Sequence, residues 1–73
     1  MKNNRSQHRS VFSERLKRAR TEAGFYSQQR MAIELGVSGE TYRRWEAGVC
    51  KPQLDRFLTI CQITKKDPFW FLP

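Results

Sequence analysis

Glu40, Arg43 and Arg44 fall at i, i+3 and i+4, the spacing that sets three charged side chains on one face of a helix. A guanidinium is a planar fork of donors, matched to paired acceptors on a guanine edge or a phosphate. Gly39 lies on the same outer side, while Tyr42 and Trp45 fall on the opposite one. A short helix held by its aromatic face, with a basic face turned outward, has the form a major-groove reader needs. Other chemistries find no residues. The chain offers no Ser-His-Asp or Cys-His arrangement and no phosphate loop, so no catalytic candidate emerges. His8 is the single histidine, and Cys50 and Cys61 are not spaced as a CxxC pair, so neither a zinc site nor another cofactor is expected.

The elements around this helix follow from periodicity and punctuation. Met31, Ala32 and Leu35 form one apolar stripe on a helix starting near Gln28. Gly36 stops it, Val37 plugs the turn, and Ser38 caps the next helix. Upstream, Ser10 is the cap of helix one, with Phe12, Leu16, Ala19 and Ala23 as its buried stripe and Gly24 as its end. Phe25 reads as core, Tyr26 suits core or surface, and Ser27 caps helix two. After Pro52, helix four runs from about Gln53 to Thr64, with Leu54, Phe57, Leu58 and Cys61 inward and Ile60 beside them. Asp67-Pro68 caps a short fifth helix carrying Phe69, Trp70, Phe71 and Leu72. Strand signals are missing, so the expected fold is all-α with five helices.

At 73 residues the chain is a single small domain, and its formal charge is +7. Residues 1–30 hold eight bases against two acids, so six of the seven net charges lie there. A polyanionic partner is implied, with nucleic acid, an acidic protein or a membrane surface all compatible. No run of about 18 apolar residues could span a membrane. The polar, basic start has no signal-peptide character, so a cytoplasmic protein with reduced cysteines is expected. Residues 1–9 read either as a frayed tail or as a basic arm in which Lys2, Arg5 and Arg9 contact DNA. Residues 10–73 form the domain.

The order and spacing of FSERLKRAR, SQQRMAIELGVS, TYRRWEAG, KPQLDRFLTIC and DPFWFL resemble the lambda-repressor-like helix-turn-helix domains of the Cro and xenobiotic-response-element (XRE) family of bacterial and phage regulators. The likeness covers about Phe12 to Leu72 and puts the helix-turn-helix at residues 28–46. It implies a compact five-helix DNA-binding domain acting as a transcriptional regulator, and specifically a repressor. Ala32 would sit where the motif helices cross, where a larger side chain would push them apart. Gly36 would take the turn, and Tyr42 and Trp45 would anchor the reading helix. Arg20 and Glu46 match an ion pair that fastens helix one to the end of that helix. The resemblance assigns base contacts to Gly39, Glu40, Arg43 and Arg44. Arg44 is the foremost candidate for guanine, and Glu40 either accepts from cytosine or holds Arg44 in place. Gln28 would contact phosphate with the start of helix two, and Arg30, Thr41 and Lys51 are further backbone candidates.

The departures are specific. Gly39 stands where relatives often carry a long polar side chain, and Gln29 and Arg30 replace acidic residues early in helix two. One extra residue separates Gly24 from Ser27-Gln28. Thr64 replaces a usual leucine and Lys65 a frequent glycine, so helix four is expected to end early or differently. Of Phe69, Trp70 and Phe71, two should close the core; an exposed third would provide a homodimer contact. The partner expected from this family is double-stranded DNA, as a palindromic operator bound by a dimer. The competing reading is a protein-binding module, such as an antitoxin or an antagonist of another regulator.

Overall fold

In the computed structural model, which describes residues 10–73, the chain folds as α1 (Val11–Glu22), α2 (Gln28–Leu35), α3 (Gly39–Ala47), α4 (Leu54–Thr64) and a terminal 3₁₀ turn (Pro68–Phe71). The architecture is all-helical among the described residues. It has four α-helices, and where a short fifth was expected Pro68–Phe71 forms a 3₁₀ turn that Leu72 ends in an extended conformation. Asp67 caps that turn by accepting from the Phe69 N–H at 2.8 Å. Lys2, Arg5 and Arg9, the proposed arm, lie outside the described residues.

Serines begin the first three helices. The Ser10 and Ser13 side chains each accept the other's backbone N–H, at 3.1 and 2.9 Å, closing a reciprocal cap on α1. Ser27 and Ser38 accept from the backbone N–H groups of Arg30 and Thr41, both at 3.0 Å. Gly36 ends α2 at φ +72°, a left-handed conformation in which a Cβ would cost about 1 kcal/mol or more. The α2–turn–α3 unit therefore rests on local signals, and α2 and α3 form the most extensive helix pair.

The core joins Leu16 and Ala19 of α1, Met31, Ala32 and Leu35 of α2, Tyr42 and Trp45 of α3, Ile60 and Cys61 of α4, and Phe71. Phe12, Phe25 and Val37 pack around it half-buried, and Tyr26 points to solvent at 84% exposure. Cys61 is a core filler whose thiol is pushed up by burial and then by the Asp67 charge; Cys50 is exposed, and both are free.

Two expectations for α4 are corrected. Leu54 and Leu58 are exposed, and the inward stripe is Phe57, Ile60, Cys61 and Thr64. Leu54 shares that stripe's angle but sits in the first turn, beside a shallow groove rather than beneath another helix. Leu58 is turned about 100° from Phe57 and loses contact with the core. Thr64 is tolerated inside because its hydroxyl donates to the Ile60 carbonyl at 2.7 Å. Lys65 adopts φ +61°, so α4 ends as a glycine would end it, with the strain borne by a lysine.

Candidate nucleic-acid interface

The outer face of α3 depends on what fixes it from behind. Tyr42 and Trp45 meet edge to face at 5.8 Å, both buried. Beneath them Glu46 is a hub. Arg20 Nε donates to Glu46 Oε2 at 2.7 Å, and the two side chains are only 6% and 4% exposed. Tyr42 donates its hydroxyl to Oε2, and Gln28 Nε2 donates to Oε1 at 2.9 Å. Arg20 Nη1 also donates to the Phe25 carbonyl at 2.8 Å, so one guanidinium ties α1, the α1–α2 loop and α3 together. Burial, then the Glu46 carboxylate, push the Tyr42 phenol far above its usual range, leaving it a neutral donor. The pair expected from the resemblance is present, and it is interior rather than superficial.

Outside, both oxygens of Glu40 accept from Arg43 Nη2 at 2.7 Å, and Arg44 Nη2 stands 3.2 Å from Oε2. All three side chains are about half exposed. Glu40 therefore aligns two guanidiniums at once, and both stay about half exposed. Arg43, more than Arg44, holds the Glu40 carboxyl below the usual carboxylate range. A depressed carboxylate keeps its partners above its unfolded pKa and releases them as pH falls through the folded value. An NMR titration should accordingly find Glu40 low in the parent chain and shifted upward in Arg43→Ala. An unchanged midpoint in that variant would contradict the pairing.

The other expected contacts distribute unevenly. Arg30 is exposed in the first turn of α2, and Gln28 is half-buried because its amide is shared with Glu46. The Thr41 hydroxyl accepts from Ser38 Oγ at 2.9 Å, which joins it to the helix cap. Gly39 is half-buried under the side chain of Gln29. Lys51 borders the apolar groove of Phe12, Pro52, Leu54, Phe57 and Leu72. Sequence reasoning missed Lys17, which reads as plain surface charge. It lines a cleft of about 200 Å³ with Gln28, Arg43, Glu46 and Ala47, where α1 approaches the start of α2 and the end of α3. The signal was Arg20, one turn further along α1: pairing it with Glu46 turns that face of α1 toward the reading helix.

No three His, Cys, Asp or Glu side chains gather as a metal site among the described residues, and none of their helices is long and apolar enough to cross a membrane. Residues 11–68 match the family described as helix-turn-helix domain. Over 53 residues the chain is 43% identical to the SPbeta prophage-derived uncharacterized HTH-type transcriptional regulator YonR of Bacillus subtilis (strain 168), an alignment covering 73% of this chain and 48% of that protein. The chain thus spans about half the length of the curated relative it matches. No solved structure matches.

Proposed function

The chain belongs to the helix-turn-helix family of XRE-like DNA-binding regulators, and from that premise we propose that it is a sequence-specific, cytoplasmic transcriptional repressor with no enzymatic activity. The observation that carries the reading is the exposed Glu40–Arg43–Arg44 group on a helix locked from behind by Tyr42, Trp45 and Glu46. In this reading α3 enters the major groove. Arg44 takes O6 and N7 of guanine, Arg43 takes a base or a phosphate, and Glu40 orients both. Gln28, Arg30, Thr41, Lys51 and the newly recognised Lys17 contact the backbone, and residues 1–9 with Lys2, Arg5 and Arg9 act as a basic arm. A dimer would read a palindrome with half-sites about one helical turn apart, and occupancy of the operator would block transcription.

Selection of bound sequences from random duplex DNA tests this, with a two-fold symmetric consensus expected. On the selected operator, Arg44→Ala should cost about 1–3 kcal/mol while hardly changing affinity for random DNA. Equal losses on both would remove Arg44 from base reading. One observation favours a second reading as a protein-binding module: Phe69 is 79% exposed near the half-exposed Leu72. A stable stoichiometric protein partner, with no DNA consensus, would decide for it.

A further inference from the structure

Gly39 opens the reading helix without a side chain, yet its space is not empty. The side-chain oxygen of Gln29 lies where a Cβ on residue 39 would stand. Consecutive residues on α2 are turned about 100° apart, and the two glutamines there diverge. Gln28 reaches toward the far end of α3 and spends its amide nitrogen on Glu46. Gln29 crosses the near end, is exposed, and its side chain makes no hydrogen bond to any described residue. The free amide at the leading end of α3 therefore comes from α2.

We propose that Gln29 is a specificity-determining residue that reads a base edge across Gly39, supplying the long polar side chain that α3 itself lacks. The inference rests on α3 entering the major groove. A primary amide presents a donor and an acceptor side by side, the pattern complementary to N7 and N6 of adenine, so the preferred base is adenine. Gly39 is the permissive partner: only without a Cβ can the amide lie against the helix start.

The test compares the parent chain with Gln29→Ala, Gly39→Ala and the double variant, on the selected operator, its single-base variants and random duplex DNA. Gly39 has no positive φ to protect, and the obstructing atom is the end of a flexible side chain, so Gly39→Ala should fold; circular dichroism verifies this. Gln29→Ala should lose about tenfold on the operator and flatten the preference at one base-pair position. Gly39→Ala should flatten the same position by displacing Gln29, and the double variant should be no weaker than the weaker single variant. Unchanged base preferences in Gln29→Ala would overturn the proposal, as would a uniform loss on all DNAs, the mark of a phosphate contact. Arg44→Ala separates the two levels. If it alters base preference while Gln29→Ala does not, only this inference fails; if neither does, groove reading by α3 fails too.

Discussion

Glu46→Ala is expected to destabilise the domain by about 3–5 kcal/mol, read as a shift of the urea midpoint followed by tryptophan fluorescence and circular dichroism. The magnitude follows from what remains after the carboxylate is gone. Arg20 would keep a charge in a site where its side chain is 6% exposed, and the Tyr42 hydroxyl and Gln28 amide would lose their acceptor. The partners left to Arg20, the Phe25 carbonyl and the neutral Tyr42 hydroxyl, cannot neutralise it. A small domain has about 5 kcal/mol or little more in reserve, so the variant should keep only about 0–2 kcal/mol and be partly unfolded near room temperature even before urea is added.

The penalty is for a broken pair, and that distinction can be measured. Replacing both partners, Arg20→Met with Glu46→Leu, removes the uncompensated charge and should recover a substantial part of the loss. A cost below about 1 kcal/mol for Glu46→Ala would mean that the pair behaves as a solvated surface bridge. In a helix-turn-helix domain the consequence reaches function, since the Glu46 hub sets both the tilt of α3 and the direction of Gln28. The double variant should therefore fold and still bind DNA poorly, separating stability from alignment.

What the sequence made legible was local. Ser10, Ser27, Ser38, Gly36 and Asp67-Pro68 act within a turn of themselves, so the helix limits could be read without knowing their neighbours. The Arg20–Glu46 pair, 26 residues apart, was legible only through family likeness, and nothing in the string gave its burial. The face of α4 was misread because Leu54, Phe57, Leu58, Ile60 and Cys61 are apolar on more than one side; the choice among them belongs to α1, α2 and the 3₁₀ turn. For Glu40 the spacing left base contact and arginine clamp open, and the side chains in fact form a clamp that also engages Arg43. Gln29 over Gly39 is a contact between two helix starts, which no one-dimensional pattern encodes.

The terminal turn supplies the sharpest contrast between neighbours. Phe71→Ala should cost about 3–5 kcal/mol, whereas Phe69→Ala should stay within about 0.5 kcal/mol of the parent in thermal unfolding. Phe71 is fully buried, with ring centroids 5.4 Å from Phe57, 5.8 Å from Phe12 and 5.1 Å from Trp70, so its removal opens a hole between α1 and α4. The surroundings can hardly collapse into that hole, because the turn is held from outside. Arg15 Nη1 donates to the carbonyls of Trp70 at 2.7 Å and Leu72 at 2.6 Å, and Arg18 and Lys66 stand over the Trp70 ring. Phe69, two residues earlier and largely exposed, has no such role within one chain. If it serves the proposed dimer, Phe69→Ala should lower the sedimentation-derived mass, or the cooperativity of operator binding, while leaving the melting curve of the dilute monomer in place. A melting point that falls equally in both variants at dilutions where the chain is monomeric would show that Phe69 packs within its own chain and is not free for a second copy.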